Sequence, residues 1–335
     1  MAGKGGGFAD LLDGTFSLIS RTWVASLVFG GVLFIPPSAL FGWAYGRFLD
    51  VLRDMAGVGA GEYGTLMARM GVAYAGIALA VLVQGVVFLF VRACVTEIAA
   101  RARSGGSVSP WSAAAHVLSR RYGPLLLQRL IQTVIIALTT TAAVLVAGLA
   151  AGLAAALGVT VLAVILGVLL GLAGLGVAVW ISVRYTVTLE SMVVDGTGVE
   201  PSFDQSMALV RGRWWKVFGY TLLFGLMVSF ASSLVATPIM FFSTIRQFIH
   251  NLEAVLRDTS GQLDLNAAFL RLLSGMGRRL GILQYVQSVA SGFVTPVFMT
   301  LLFFQLKEPP ALNAPADLKE PLVVKEPPVG AGTPP

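Results

Sequence analysis

The sequence predicts an all-α polytopic membrane helix bundle, in which six transmembrane helices form three hairpins and a short interfacial amphipathic helix precedes each hairpin. Two observations predict this fold class. Of the 335 residues, 56% are hydrophobic and only 12% are charged, whereas a soluble domain has about 25% charged residues. The apolar residues also gather in runs of about 20, the length of helix that crosses the hydrocarbon core of a bilayer.

The chain divides into three parts. Residues 1–22 are predicted to form the first interfacial helix, and residues 23–306 form the transmembrane domain. No charged residue occurs from Leu130 to Val183, and one helix over this stretch would be longer than a bilayer is thick. We therefore expect the chain to fold back near residues 154–158. The predicted spans are residues 23–45, 71–91, 130–153, 157–180, 217–242 and 280–306.

A recurring pattern supports three units. A leucine, an arginine and an aromatic residue follow one another at similar spacing before each pair of spans. Apolar residues upstream recur at helical spacing, which predicts an amphipathic helix, and Ser109-Pro110 is a typical start for one. The three copies are Leu18, Arg21 and Trp23; Leu118, Arg120 and Tyr122; and Leu209, Arg211 and Trp214.

Cationic and aromatic residues stand where each short helix meets its hairpin. Tryptophan favours the headgroup level of a membrane, and arginine and lysine extend their charges to the phosphates. Two interpretations stay open: these residues fix the depth of the helices, or together they bind the headgroup of an anionic lipid. The residues are Arg21, Trp23, Arg120, Arg121, Tyr122, Arg211, Arg213, Trp214, Trp215 and Lys216.

The termini are predicted to lie in the cytoplasm. An even number of crossings in each unit places all three short helices on one side, and that side has more lysine and arginine than the other, which favours the cytoplasm. The tail, residues 307–335, is rich in proline and repeats Lys-Glu-Pro. Such a segment cannot bury a core, so we expect it to be disordered and able to recruit a soluble partner.

Few residues could perform chemistry. No Asp, Glu, Lys or His lies near the centre of a predicted span, which argues against a coupled transporter or pump. The single cysteine, Cys94, cannot form an internal disulfide or a cysteine metal site. No nucleophile–base pair or paired carboxylate stands out, and no basic stretch has a nucleic-acid motif. We therefore expect no enzyme activity, cofactor, metal or nucleic-acid partner.

Two sets of polar residues have more than one interpretation. Gln84, Gln284 and Gln287 lie within predicted spans and either form hydrogen bonds between helices or line a path for a small solute. Glu190 is expected to form a structural ion pair with Arg184 or Arg211, although a catalytic carboxylate is the alternative.

Helix-breaking and small residues also recur within the spans. Prolines interrupt the first, fifth and sixth spans at Pro36-Pro37, Pro238 and Pro296, and each is expected to kink its helix. The spacing Gly148-x-x-x-Gly152, and again Gly167-x-x-x-Gly171, predicts close packing of the third and fourth spans.

The stretch RYTVTLESMVVDGTGVEPSFDQSMALVRGRWWKVFG, residues 184–219, resembles the glycerophosphoryl diester phosphodiesterase membrane-domain family. The resemblance covers most of residues 8–306 and implies a six-helix domain of the bacterial inner membrane. Gln205 departs from the family, which often has arginine at that position. Some members of the family are fused to a phosphodiesterase domain, and no segment of this sequence resembles that catalytic domain. The matching residues are Arg184, Glu190, Ser206, Leu209, Arg211 and Gly212.

Together these observations predict a non-enzymatic integral membrane protein with a lipid-associated or scaffolding role. Its expected partners are membrane lipids, above all anionic ones, because the chain has a formal net charge of +6. The alternative is a facilitator or channel for a small solute, which would use the glutamines and the proline-interrupted helices.

Overall fold

The computed structural model describes residues 7–55, 63–106, 109–257 and 276–308, which are almost wholly helical and contain no strand. The helices are α1 Phe8–Met55, α2 Tyr63–Arg103, α3 Pro110–Arg120, α4 Tyr122–Ala156, α5 Thr160–Arg184, α6 Thr188–Glu190, α7 Val199–Val210, α8 Trp214–Arg257 and α9 Met276–Lys307. A π-helical turn, Ser191–Asp195, follows α6 directly.

Five to six long apolar helices could span a membrane. Within the described residues, five pass on length and composition alone, and α1 makes a sixth when its two bent halves count as one span. This confirms the predicted all-helical, multi-pass composition of the chain. The five segments are Tyr63–Arg103, Tyr122–Ala154, Thr160–Asp195, Trp214–Phe242 and Arg279–Lys307.

The first helix runs through the predicted boundary between the interfacial helix and the first span. Its two halves, Phe8–Leu27 and Phe29–Asp54, are bent by 55° relative to each other, whereas the predicted boundary lies between residues 22 and 23. The buried face of the first half continues past that boundary, because Thr22 and Ser26 extend the helical spacing of Leu18. Pro36 and Pro37 lie inside the second half rather than at the bend.

Several helices extend beyond their apolar segments. The second helix continues to Arg103 and the eighth to Arg257, whereas spans were predicted to end at residues 91 and 242. In α2, residues 91–99 are buried except for Arg92, which is half-buried. The helices therefore continue past the predicted apolar segments, and in α2 this continuation is enclosed by protein.

The predicted fold-back between the third and fourth spans is confirmed. The helices α4 and α5 are joined by a short turn in which Gly158 has a φ of +76°, a conformation that favours glycine. The predicted glycine contacts are mostly wrong, because a Cβ atom added at Gly148, Gly152 or Gly171 would meet no atom within 4 Å. The closest approach is instead between Gly174 and Ala143.

The last helix, α9, is the centre of the bundle. In the most apolar 18-residue window of each helix, 56% of the residues are buried in α9, against 6% in α4 and 11% in α5. The main neighbours of α9 are α1 and α2, and α8 contacts it less extensively. The α4–α5 hairpin therefore lies at the periphery. The predicted third hairpin, α8 and α9, is open because α9 packs mainly on α1 and α2.

Glycines bring α1 and α9 into backbone contact. Gly42 and Gly46 face Gly281 and Gly277, so each helix contributes one G-x-x-x-G pair. A Cβ atom at Gly281 would lie 2.9 Å from the Ser38 carbonyl oxygen and 3.0 Å from the Gly42 Cα. No larger residue fits there without separating the two helices.

We predict that Gly281→Ala lowers the free energy of unfolding by about 1–3 kcal/mol, the usual cost of overpacking. Denaturant titration of the purified protein in detergent micelles measures this change. The matched control is Gly171→Ala, whose new methyl group meets no atom within 4 Å. Because alanine favours a helix over glycine by about 1 kcal/mol, the control should be neutral or stabilising. Equal effects of the two substitutions would contradict the contact.

Candidate functional site

Polar side chains gather at one end of the bundle, around α6 and the π turn. Here α2, α5 and α9 end, α4 and α8 begin, and α3 and α7 pack against them. The turn ends at Gly196, whose φ of +73° suits glycine alone. We call this cluster the polar hub; its members are Arg92, Arg121, Gln128, Thr188, Glu190, Ser191, Asp195, Gln205 and Lys307.

The central interaction of the polar hub is an ion pair between α2 and α6. The Arg92 guanidinium lies 2.9 Å from Oε1 of Glu190, whose side chain is fully buried. Removing a carboxylate from water is unfavourable unless a cation compensates it, so Glu190 requires this partner. The second oxygen, Oε2, forms no hydrogen bond within the described part of the chain.

A glutamine links α4 to the same segment. The Gln128 amide donates to Oγ1 of Thr188 over 2.8 Å and to Oε1 of Gln132 over 3.3 Å. Arg129 also donates to Oε1 of Gln132, over 3.2 Å. Buried amides need such partners, so this row fixes α4 against α6.

The π turn is held by side chains from two neighbouring helices. Arg121 donates to the carbonyl oxygens of Met192, over 2.8 Å, and of Val193. These carbonyl groups lie at a helix end, where side chains commonly replace the missing backbone partners. The Ser191 hydroxyl donates to Oε1 of Gln205 on α7. The turn is therefore bound both to the junction of α3 and α4 and to α7.

Asp195 connects the turn to the end of α9. Its carboxylate accepts hydrogen bonds from Lys307, at 2.9 Å, and from the Gln205 amide, at 2.6 Å. Close by, Arg213 donates to the Leu306 carbonyl oxygen over 3.2 Å. The charged groups of the hub therefore join helices to one another, and this bonding pattern is that of a structural core.

The predicted ion pair of Arg184 with Glu190 is wrong. Glu190 pairs with Arg92, while the Arg184 guanidinium carbon lies 4.4 Å from the ring centroid of Trp180. Arg92 precedes Glu190 by 98 residues and follows the predicted second span directly. Spacing within one segment cannot identify a partner on another helix. The one available signal was a lone arginine at the end of an apolar run.

Half of the predicted interface residues are exposed. Trp215 and Trp23 expose 78% and 52% of their surface, and Arg21, Arg211 and Lys216 are also exposed. The Lys216 ammonium lies 5.4 Å from the ring centroid of Tyr220, a cation–π distance. We call these five residues the exposed basic-aromatic set.

The other predicted interface residues serve the packing of the protein. Besides Arg121 and Arg213, the Tyr122 hydroxyl donates to the Val86 carbonyl oxygen over 2.8 Å. The Trp214 indole donates to the Trp180 carbonyl oxygen over 3.4 Å. The side chain of Arg120 lies outside the described residues.

The three glutamines do not line a common path. The buried Gln84 amide donates to Oγ of Ser288 over 2.6 Å, and Gln284 donates to the same oxygen over 3.5 Å. Gln287 is exposed at the surface of α9. Gln84 thus forms the hydrogen bond between helices that the sequence analysis considered.

Two further predictions have different outcomes. The short helices α3 and α7 form where the amphipathic patterns predicted them. Ser109 takes the N-cap position with Pro110 after it, although its side chain forms no capping hydrogen bond. The predicted disordered tail, residues 307–335, lies outside the described residues beyond Glu308.

The fold and the hub define a helical multi-pass membrane protein. Residues 111–306, more than half of the chain, match the family described as Domain of unknown function (DUF7847), so the chain belongs to this family. The matched region starts in α3 and therefore excludes α1 and the whole of α2, including Arg92. Neither a search of curated proteins nor one of solved structures found a match. The resemblance to the glycerophosphoryl diester phosphodiesterase membrane-domain family stays a prediction.

We predict that Arg92→Met lowers the free energy of unfolding by about 3–5 kcal/mol, because it leaves the buried Glu190 carboxylate uncompensated. Adding Glu190→Gln should restore part of the loss. Denaturant titration in detergent micelles measures both variants. The matched control is Arg69→Met, since the Arg69–Asp54 pair is exposed and worth under about 1 kcal/mol. A loss no larger than that of the control would contradict the role of the hub.

Proposed function

We propose that this protein is a non-enzymatic, lipid-associated or scaffolding protein of the bacterial inner membrane, with both termini in the cytoplasm. The observation that carries the proposal is the exposed basic-aromatic set at the hub end of the bundle. Cations and indoles at that level favour anionic headgroups. The same end contains the short helices α3 and α7, which supports the proposed arrangement of three repeated units with interfacial helices on one side.

A catalytic role has less support than association with lipid. The charged residues of the polar hub are bonded to one another, as in the pairs Arg92–Glu190 and Lys307–Asp195. A facilitator also has less support, because Gln84 and Gln284 converge on one serine hydroxyl instead of lining a path. The scaffolding part of the proposal rests on the repeated Lys-Glu-Pro of the tail, which is suited to a soluble partner.

We predict that the double variant Arg21→Gln/Arg211→Gln retains several-fold less anionic lipid than the natural sequence. Each exposed cation near a headgroup is worth about 1 kcal/mol, so removing two should be measurable. The assay is lipid mass spectrometry of protein purified from vesicles with equal amounts of phosphatidylglycerol and phosphatidylethanolamine.

The matched control is Arg53→Gln combined with Arg246→Gln, which removes two exposed cations from the parts of α1 and α8 far from the hub. This control should retain phosphatidylglycerol at the level of the natural sequence. Equal phosphatidylglycerol in the test and control variants would refute the proposed association of anionic lipid with the hub end.

A further inference from the structure

An open groove lies between α1 and α9, far from the polar hub. Its volume is about 680 Å³, within the range of roughly 300–1,000 Å³ for small-molecule sites. It runs beside the glycine contact, and its apolar wall includes Ile35, Ala39, Trp43 and Ile282. Along α9, Ile282 precedes Lys307 of the hub by roughly 38 Å at about 1.5 Å per residue. The groove therefore belongs to the other membrane leaflet.

The groove is open at the surface of the bundle. Trp43 is 58% exposed, Ile35 53% and Ile282 43%, so its rim consists of apolar side chains that no element within the described residues covers. The close approach of Gly42 and Gly281 forms the floor. An acyl chain can enter such a groove sideways from the bilayer, and large apolar side chains on the rim then bury its surface.

One end of the groove has a cation and an anion side by side. Arg47 and Asp50 both line it and stand three residues apart on α1, which places them on the same face of the helix. Neither forms an ion pair with any residue in the described ranges, whereas the nearby Asp54 pairs with Arg69 at 2.6 Å. The Arg47 guanidinium instead lies 5.9 Å from the ring centroid of Trp43.

The same two charges border a second cavity. It has a volume of about 460 Å³, lies between α1 and α2, and shares Trp43, Arg47 and Asp50 with the groove. Trp43, Arg47 and Asp50 thus border both cavities, and Arg69, paired with Asp54, also lines the second one. Two apolar cavities that share a charged border suit a lipid with two chains and one headgroup.

We propose that this site binds one zwitterionic phospholipid, with its acyl chains in the two cavities, its phosphate on Arg47 and its ammonium group on Asp50. A guanidinium suits phosphate, and a carboxylate one helical turn away repels an anionic headgroup but pairs with an ammonium group. The site goes beyond the proposed function, since it is separate from the exposed basic-aromatic set and selects a lipid of different charge.

Native mass spectrometry of protein taken from vesicles with equal phosphatidylethanolamine and phosphatidylglycerol tests the headgroup assignment. We expect one retained phosphatidylethanolamine per chain. Asp50→Asn should lower the ratio of retained phosphatidylethanolamine to phosphatidylglycerol roughly tenfold, the effect of one charge-assisted hydrogen bond. An unchanged ratio would overturn the proposal.

A plug tests the position of the acyl chains. Ala39→Phe places a ring in the groove from an exposed position and should remove the retained phosphatidylethanolamine. Ala142→Phe, on an exposed position of α4 that borders neither cavity, should keep it. Retention by the Ala39 variant, or equal loss in both variants, would overturn the site.

The double variant Arg21→Gln/Arg211→Gln separates this site from the proposed function. It should change the retained phosphatidylglycerol and leave the bound phosphatidylethanolamine as it is. Loss of phosphatidylethanolamine in this variant would overturn the assignment to the α1–α9 groove, whatever happens to phosphatidylglycerol.

Discussion

Backbone contact between α1 and α9, the first and last long helices, determines how the remaining helices are arranged. Glycines at 42, 46, 277 and 281 let the two helices approach so closely that a methyl group at Gly281 would lie 2.9 Å from a carbonyl oxygen. Without a strong hydrophobic force between helices in lipid, such close van der Waals packing is what drives their association. It places α9 at the centre of the bundle, opens the third hairpin, and creates the groove beside the glycines.

The polar hub completes the arrangement at the other end. Glu190 belongs to the region that matches the family, residues 111–306, while its partner Arg92 precedes that region. Because the buried carboxylate requires a cation, the family region depends on α2 to compensate its own charge. Lys307 also forms an ion pair with Asp195 on the π turn, so the end of α9 is bound to the polar hub as well. Van der Waals packing thus stabilises one end of the bundle, and paired charges stabilise the other.

The sequence predicted those features of the fold that depend on one continuous segment of the chain. Apolar runs identified the long helices, the charge-free stretch 130–183 predicted the turn near Gly158, and amphipathic spacing predicted α3 and α7. The sequence did not predict which distant segments contact each other. The pairs Gly148/Gly152 and Gly42/Gly46 have identical spacing, yet only the second meets another backbone. Likewise, Arg184 and Arg92 are both cations that directly follow a long apolar run, and only the position of α2 against α6 determines which one pairs with Glu190.

Solid-state NMR of the unmodified protein in bilayers, with ¹³C-labelled glycine, measures the α1–α9 contact directly. A Cβ atom at Gly281 would lie 3.0 Å from the Gly42 Cα, and a Cα–Cβ bond adds about 1.5 Å, so the two Cα atoms are within about 5 Å. We expect a Cα–Cα cross-peak between Gly42 and Gly281, with the sequential neighbours Gly30 and Gly31 as the internal reference. If the reference peak appears and the Gly42–Gly281 peak does not, α9 does not pack on α1 and the arrangement described above is wrong.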